Sequence, residues 1–409
     1  MSGQWIGWVV GVVGLGAAVA AFFIVRHQRY LGALRARGWS WNSSPRLGDF
    51  LTLQVPPFGL GVDRSVDDLV TGTAPSGRQF ASFKYKSAGG GSFSDRVLVL
   101  QLDAPLPTAF AFARTPRTGM TVGSPQLTEV AGEGVTVVAG QADYAGEVYR
   151  CVTGIELPSQ AVLDVSIDGD RLVFIPAERD PAELAALINA LDPVAAAVSA
   201  LAGTRAVAPP VPAFSFYGHP DWQWIGSDDS VLDYYPTDRG GFGHSTQGLV
   251  RGLRDGIRMD AFEHLWKTTE TRTVTDSEGH THIETYTENH QEVVCGFTLP
   301  YELPTISVNG DHYGDKVRFE SNDFNEEFTV RAENPKWASD VIHPRMMEWL
   351  LATRPPGWTI LGRTVTFAVG VHDTIVMDVA EATVRGFLGR IQRFVWADLG
   401  LPVPPFLVE

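Results

Sequence analysis

The tetrapeptide Gly38-Trp39-Ser40-Trp41 has a counterpart in Asp221-Trp222-Gln223-Trp224, and these motifs begin two similar stretches of chain. Further pairs of matching segments follow each tetrapeptide in the same order. They are Pro57-Phe58-Gly59-Leu60-Gly61 with Gly241-Phe242-Gly243, Leu69-Val70-Thr71-Gly72 with Leu249-Val250-Arg251-Gly252, and Leu106-Pro107 with Leu303-Pro304. Because matching features in a shared order indicate an internal repeat, the sequence predicts one domain duplicated in tandem.

The boundaries of the two copies follow from composition. Residues 199–212 are rich in alanine and proline, which is typical of a semi-rigid linker. We therefore predict a first copy over residues 38–197, a linker over 198–214 and a second copy over 215–409. An N-terminal anchor with a basic segment precedes them over residues 1–37.

Each copy has the pattern of an α+β domain with an antiparallel sheet. In the first copy, short β-rich runs come first, and Asp180 then begins a helix as its cap. In the second copy, Thr364–Val369 predicts a strand and Val379–Trp396 an amphipathic helix. The apolar stripe of that helix predicts a core-facing side and consists of Phe387, Ile391 and Phe394.

The N-terminus carries a long apolar run, from Trp5 to Val25, without charge or proline. At about 1.5 Å per residue this run is long enough to cross the roughly 30 Å hydrocarbon core of a bilayer. Because Arg26 and Arg29 follow at once, the positive-inside rule places the N-terminus outside the cell membrane and both copies in the cytoplasm. The alternative is a cleaved signal peptide, since Ala18-Val19-Ala20 resembles a cleavage site.

Tryptophans and glycines within the apolar run have predicted roles at the bilayer. Trp5 and Trp8 suit the aromatic belt at its outer end. Gly7 and Gly11 belong to a small-residue stripe that would let a second helix approach closely. The sequence thus predicts contact with lipid and, through the stripe, self-association or docking to another membrane subunit. The alternative is that small residues are simply frequent in such helices.

Composition excludes one class of partner. The chain has 409 residues, of which 44% are hydrophobic and 19% charged, as in an ordinary globular protein. Its 32 basic and 47 acidic residues give a net charge of -15, which has the wrong sign for binding nucleic acid phosphates. The only cysteines, Cys151 and Cys295, are too few for a disulfide framework and predict buried thiols. We therefore exclude nucleic acid and predict no cofactor.

Motifs of the second copy cluster between residues 317 and 351. They are Val317-Arg318-Phe319-Glu320-Ser321, Phe324-Asn325-Glu326-Glu327-Phe328-Thr329-Val330 and His343-Pro344-Arg345-Met346-Met347-Glu348-Trp349-Leu350. This stretch resembles the bacterial domain of unknown function 3137 family, whose members share an ES-x-x-FN-x-x-F-x-V stretch and a P-x-M-M-E-x-L helix start. In the first copy, Asp143-Tyr144-Ala145-Gly146-Glu147-Val148-Tyr149 replaces the FN motif, which indicates a degenerate repeat. The resemblance implies no activity.

The richest group of potential metal ligands consists of His280, His282 and Glu284. Strand periodicity would place all three on one face, where they could supply zinc or copper ligands. The alternative is a solvated hairpin without a metal, because the surrounding stretch is polar on both faces and lacks a dry second shell.

The sequence contains no nucleophile elbow, zinc-protease helix, kinase motif set or dinucleotide fingerprint. It therefore favours a protein that is not an enzyme. An enzyme of unrecognised type is the alternative, and its cleft would lie near Trp222, Trp224 and His244, where aromatic walls could surround one titratable group.

Thr268–Gln291 is longer than Lys84–Asp95, the corresponding stretch of the first copy. Threonines alternate with other residues on both sides of Ser277-Glu278-Gly279, which predicts a protruding hairpin with two polar faces. Its unpaired edges would offer backbone groups to a partner by β-augmentation. The predicted partner-binding residues are Thr273, Glu278, His282, Glu284 and Tyr286. The alternative is a surface insertion without a role.

These features together favour a membrane-tethered cytoplasmic protein-interaction module. Such a module would be an adaptor or an accessory subunit of a membrane complex, with membrane or cytoplasmic proteins as its partners.

Overall fold

The computed structural model describes most of the chain and divides it into two compact units. The described residues are 21–50, 52–89, 92–113, 128–132, 134–158, 161–204, 215–216, 219–235, 239–275, 281–310 and 313–407. Unit 1 comprises Met1–Phe58, Arg64–Lys86 and Phe93–Pro210. Unit 2 comprises Gly59–Asp63, Ser87–Ser92 and Val211–Glu409. Two short segments from the N-terminal half of the chain therefore belong to unit 2.

Unit 1 is built on a seven-stranded antiparallel sheet. Its strands are β1 (Ser40–Asn42), β2 (Asp63–Thr73), β3 (Gln79–Ala88), β4 (Phe93–Phe112), β5 (Thr128–Gly132), β6 (Val135–Ala139) and β7 (Asp164–Phe174). The order in the sheet is β1-β2-β3-β4-β6-β5, and β7 also pairs with β4. The central strand β4 is long enough to have three partners, β3, β6 and β7.

Three α-helices of unit 1 fall within the described residues: α1 (21–35), α2 (Ala142–Val152) and α3 (Pro181–Ser199). The Asp180 side chain accepts hydrogen bonds from the backbone N–H groups of Ala182 and Glu183, so the predicted cap is confirmed. Leu184, Leu187 and Leu191 of α3 are buried in the unit 1 core. Short 3-10 turns lie at Leu47–Phe50 and Ala202–Thr204.

Among the described residues, α3 is the one helix whose length and mean hydropathy would allow it to cross a membrane. Half of this helix is buried inside the protein, where its leucines pack in the core of unit 1. The predicted membrane run from Trp5 to Val25 lies outside the described residues except for residues 21–25, which are the first described residues of α1.

Unit 2 is built on an eight-stranded antiparallel sheet. Its strands are β8 (Ser215–Phe216), β9 (His219–Gly226), β10 (Phe242–Arg254), β11 (Ile257–Thr275), β12 (Thr281–Val308), β13 (Asp315–Val317), β14 (Val330–Ala332) and β15 (Trp358–Ala368). The order is β13-β14-β12-β11-β10-β9-β8, and β15 also pairs with β12. The predicted strand Thr364–Val369 is thus confirmed as the second half of β15, except that β15 ends one residue earlier, at Ala368.

The helices of unit 2 cover the sheet and close its main core. They are α4 (Asn322–Glu327), α5 (Pro335–Val341), α6 (Pro344–Thr353), α7 (Thr374–Arg390) and α8 (Arg393–Asp398), with a 3-10 turn at Asp229–Asp233. Aromatic and methionine side chains of the motifs around residues 317–351 are part of this core, in which Phe324, Phe328 and Met346 are buried.

The single helix predicted over Val379–Trp396 is wrong in one respect. Helix α7 ends at Arg390, and Ile391 and Gln392 are extended before α8 begins. Phe387 and Ile391 are buried as predicted, but Phe394 is 48% exposed. The break changes the direction of the chain, so that Val395 and Trp396 of α8 are buried instead.

The two Trp-x-Trp motifs lie on strands with the same neighbours. Trp41 of β1 pairs with Val70 of β2, and Trp224 of β9 pairs with Val250 of β10. In both sheets, this strand is followed by a meander of three strands whose last member is long and has additional partners. Each sheet therefore has the same strand order from its tryptophan strand to its long strand.

A second shared feature is a kink where the long strand meets its C-terminal partner. Leu106 of β4 pairs with Gly169 of β7, and Leu303 of β12 pairs with Gly362 of β15. The register shifts on both sides of each pair, which is typical of a β-bulge. Both glycines have a φ of 59°, a backbone conformation that favours glycine.

The two cysteines differ in burial. Cys295 is buried, and burial raises the pKa of its thiol to about 12. Cys151 is half-buried, and burial raises its pKa as well. The prediction of a fully buried thiol is thus confirmed for Cys295 and wrong for Cys151, whose place on α2 leaves it partly accessible.

Candidate functional site

The predicted hairpin is present, and it extends beyond the rest of the unit 2 sheet. Strands β11 and β12 pair continuously as far as Thr275 with Thr281. On one side, β10 ends its pairing at Lys267, and on the other side β15 begins its pairing at Val294. Thr268–Thr275 and Thr281–Glu288 therefore form a two-stranded ribbon, here called the arm. Residues 276–280, which join its strands and include Glu278 and His280, lie outside the described residues.

One face of the arm is uncharged. Side chains alternate between the faces of a strand, and the register places threonines opposite one another. We call this side the threonine face, and its paired residues are Thr269 with Thr287, Thr271 with Thr285, and Thr273 with Ile283. Ile283 is 73% exposed, so this face presents β-branched side chains to solvent.

The opposite face, here called the charged face, carries ion pairs and an aromatic ring. Arg272 donates to Glu284 at 2.9 Å, and its guanidinium lies 5.6 Å from the centre of the Tyr286 ring. The hydrogen bond from Arg272, followed by one from His282, lowers the pKa of Glu284. The two faces of the arm thus differ in charge.

A row of stacked rings lies at the base of the arm, where it joins the sheet. His264 and Trp266 are two residues apart on β11 and stack with their centres 4.9 Å apart. His244 stacks on His264 at 5.1 Å, and His290, which is opposite Trp266 in the register, stacks on Trp266 at 5.2 Å. We call these four residues the ring ladder. It runs along the sheet and ends at the base of the arm, where its stacked rings support the junction.

Hydrogen bonds fix the ring ladder at its inner end. The fully buried His264 contacts Glu292 Oε1 through Nδ1 at 2.9 Å and His244 Nδ1 through Nε2 at 2.9 Å. Because a carboxylate only accepts, Nδ1 of His264 carries the proton and, in the neutral ring, Nε2 accepts from His244. Burial works to raise the pKa of Glu292, but hydrogen bonds from Arg239 and His264 outweigh it and lower the pKa. The arrangement therefore connects an ionised carboxylate to His244 through one buried imidazole.

The candidate metal ligands do not form a metal site within the described part of the chain. His282 and Glu284 share the charged face as expected, with 3.4 Å between His282 Nε2 and Glu284 Oε1. Glu284 is already paired with Arg272. In the residues that the structure describes, no group of three histidine, cysteine or acidic side chains is placed to hold a metal ion.

The alternative cleft at Trp222, Trp224 and His244 is not formed. Trp222 is buried in the main core of unit 2, and Trp224 packs against that core. Their indole N–H groups donate to Glu381 at 3.1 Å and to the Val62 carbonyl at 2.7 Å. His244 instead stacks on His264, which alternation along β11 places on the face of the sheet opposite Ala261 and this core.

The candidate membrane residues are only partly described. Trp5, Gly7, Trp8 and Gly11 lie outside the described residues, whereas Arg26 and Arg29 are on α1. The large apolar residues at the start of α1 are Phe22, Phe23, Ile24 and Val25, and each is between 50% and 62% exposed. This end of α1 therefore presents apolar side chains that nothing in the described protein covers.

Sequence reasoning missed the ring ladder. The spacing of His264 and Trp266 on a predicted strand was a usable signal, since residues two apart share a face. The partners His244 and His290 come from other strands, and their places depend on a β-bulge and on the register of the hairpin.

Comparisons with known proteins give little further information. No protein-family model matches the chain, and no curated protein matches it. The crystal structure of the mycobacterial trehalose monomycolate transport factor A, TtfA, matches 45% of this chain and 97% of its own chain. The sequence identity is 16% and the TM-score is 0.31, which is too low to support an argument about fold or function.

Proposed function

We propose that the protein is a membrane-tethered adaptor or accessory subunit that binds a partner protein through the arm. The observation that carries this proposal is the position of the arm beyond the sheet. Within the described part of the chain, each of its strands has one neighbour and leaves its outer edge unpaired. An unpaired strand edge is a site for β-augmentation by an extended segment of another protein.

The composition of the arm suits a specific partner. A ribbon of two strands is marginal alone in water, and the ring ladder supplies a rigid base for it. Thr273 and Ile283 on the threonine face would pack against a partner, while His282, Glu284 and Tyr286 on the charged face would contribute selectivity. Threonines and charges along the edges disfavour indiscriminate aggregation.

The proposed tether is the apolar run before Arg26. Its support within the structure is the exposed apolar surface of residues 22–25, which would lie among lipid tails. Because Arg26 and Arg29 follow this run, we propose a single-pass protein of the cell membrane with its N-terminus outside and both units in the cytoplasm.

We further propose that both units descend from one duplicated domain and that unit 2 belongs to the domain of unknown function 3137 family. The shared strand order supports the duplication, as do the Leu106–Gly169 and Leu303–Gly362 kinks. The buried motif residues Phe324 and Met346 suit the family's motif as core positions.

The test replaces residues 270–286 of the full chain with a short Gly/Ser turn. This change keeps the Thr268–Glu288 pair and the ring ladder, so unit 2 should remain folded by circular dichroism. A photo-crosslinking amino acid is placed at Thr273 in the intact protein, and a matched one at Val371, which is 61% exposed outside the arm.

In intact cells we expect a discrete crosslinked protein from position 273 and none from position 371. The same protein should co-purify with the wild type from gently solubilised membranes and be lost with the shortened arm. Equal crosslinking from both positions, or unchanged co-purification after shortening, would remove the arm from the proposal.

A further inference from the structure

A concavity lined by basic side chains lies where α1 leaves the apolar run. Arg26, Arg29 and Tyr30 line it from α1, and Arg179 lines it from the segment before α3. Residues 26, 29 and 30 share one helix face because they are three and four positions apart. We call this concavity the basic pocket.

The hydroxyl group of Tyr30 is an unexplained feature of the basic pocket. It is buried and has no acceptor among the described residues, because Arg179, the side chain close enough to hydrogen-bond with it, can only donate. The Arg179 guanidinium lies over the Tyr30 ring, 5.1 Å from its centre, and so contacts the face of the ring. Buried hydroxyl groups are nearly always hydrogen-bonded in folded proteins. A ligand with an acceptor oxygen would supply the missing partner.

The carboxylates near the pocket are already engaged. Asp68 accepts from Arg179 at 2.9 Å and also pairs with Arg96, so one carboxylate serves two guanidinium groups. The Asp180 carboxylate accepts from two backbone N–H groups at the start of α3, at 2.8 and 3.2 Å. Against these two carboxylates stand the guanidinium groups of Arg26, Arg29, Arg96 and Arg179, so a net positive charge remains at the pocket.

Two arginines of α1, Arg26 and Arg29, contribute to that positive charge. Neither Arg26 nor Arg29 makes an ion pair with any side chain that the structure describes. In a chain of net charge -15 such a concentration of guanidinium groups is unusual. The basic pocket therefore has the charge and the donors to hold an anion.

The position of the pocket identifies the kind of anion. Residues 22–25, directly before Arg26, are large, apolar and at least half exposed. A residue that follows a membrane-spanning run lies at the level of the lipid headgroups. Arginines at this level are attracted to anionic lipids of the cytoplasmic leaflet.

We propose that the basic pocket binds the phosphate group of an anionic membrane lipid. The inference rests on the proposed tether. The guanidinium groups of Arg26, Arg29 and Arg179 donate to phosphate oxygens, and the Tyr30 hydroxyl donates to another. The acyl chains run beside Phe23. A zwitterionic lipid binds less well because its ammonium group is repelled by the arginines.

The test uses the purified full chain in nonionic detergent. Calorimetric titration compares short-chain phosphatidylglycerol, phosphatidylcholine of the same chain length and inorganic phosphate. We expect phosphatidylglycerol to bind about tenfold more tightly than phosphatidylcholine, because the arginines repel the ammonium group of phosphatidylcholine. Inorganic phosphate should bind more weakly than phosphatidylglycerol because it lacks acyl chains.

Variants distinguish lipid binding at the basic pocket from nonspecific electrostatic attraction to α1. Arg26→Gln with Arg29→Gln should weaken phosphatidylglycerol binding by about tenfold or more, and Tyr30→Phe by about threefold. Arg35→Gln is the control, because Arg35 is exposed on α1 and does not line the pocket. Tyr30→Phe removes one hydroxyl that lacks an acceptor and should leave thermal unfolding nearly unchanged.

Several results would overturn the proposal. If Arg35→Gln weakens phosphatidylglycerol binding as much as the pocket variants do, the attraction is nonspecific. If inorganic phosphate binds as tightly as phosphatidylglycerol, the pocket is a site for free anions. The tether is tested separately by flotation with phosphatidylcholine vesicles, which all variants should pass because the apolar run is unchanged. Failure of the wild type to float would overturn the tether, whereas flotation without lipid selectivity would overturn the pocket alone.

Discussion

The β3–β4 hairpin of unit 1 and the β11–β12 hairpin of unit 2 occupy the same place in their sheets but differ in length. Strands β3 and β4 have 10 and 20 residues, whereas β11 and β12 have 19 and 28. The additional residues of unit 2 form the arm. The same strand order is thus compatible with a short hairpin or a long one, because length added at a hairpin tip need not disturb the core.

A smaller difference lies beside the glycine kinks. Asp168 precedes Gly169 in unit 1, while Leu361 precedes Gly362 in unit 2. The Asp168 carboxylate accepts from the backbone N–H groups of Gln54 and Val55 at 2.6 and 2.9 Å. Unit 1 therefore uses a buried acid to hold a loop at a place where unit 2 has an apolar residue.

The largest expected effect is a difference in stability between substitutions in the sheet and in the arm, the two ends of the β11–β12 hairpin. Phe262 is fully buried where β11 crosses the sheet, and Phe262→Ala should lower the free energy of unfolding of unit 2 by about 3–5 kcal/mol. Ile283 on the arm is 73% exposed, and Ile283→Ala should change the free energy of unfolding of unit 2 by less than about 0.5 kcal/mol. Hydrogen exchange of unit 2 peptides measures both values. Similar losses in the two variants would mean that the arm is part of the core.

The next largest effect concerns Asp168, the buried acid of unit 1, and its raised pKa. Burial raises the pKa of Asp168 from 3.8 to about 6, against the opposing hydrogen bonds from Val55 and Gln54. Protonation of Asp168 therefore favours the folded state below about pH 4, and this contribution is lost as the pH rises through about 6. Asp168→Asn keeps an acceptor oxygen and should stabilise unit 1 by up to about 2–3 kcal/mol at pH 7.

The pH dependence provides the check on that variant. Unfolding of the wild type and of Asp168→Asn is compared across the range between 3.8 and 7. The two stability curves should converge at the acid end and separate as the pH rises. Parallel curves would show that Asp168 does not titrate in this range.

The smallest effect tests whether the two kinks correspond. Gly169→Ala and Gly362→Ala each place a side chain at a φ of 59° with open space around it, so only backbone strain opposes them. Each should lower the free energy of unfolding of its own unit by about 1–2 kcal/mol. A large difference between the two losses would break the correspondence between the units.

Local patterns in the sequence predicted some of these features well. Alternation around Thr271 and Thr285 predicted the arm because a hairpin depends on neighbouring residues and its turn. The cap at Asp180 was equally local. Apolar spacing is likewise a local indication of burial, and motif residues such as Phe324 are buried.

Features that depend on distant contacts were missed or wrong. The break after Arg390 is stabilised by burial of Trp396, which no helical periodicity indicates. The ring ladder needs His244 from a bulge of β10 and Glu292 from β12, and neither is near His264 in the sequence. The separation of Trp224 from His244 likewise depends on which face of the sheet each side chain occupies.

The inclusion of Gly59–Asp63 in unit 2 has a consequence for the order of folding during synthesis. Val62 is buried in the unit 2 core and accepts the hydrogen bond from Trp224, although it is made long before residues 211–409. Domains generally fold as they emerge from the ribosome, so this segment must wait for the rest of its unit. A C-terminal fragment beginning at residue 211 would lack Val62 altogether, and a chain cut within residues 198–210 would not release unit 2 intact.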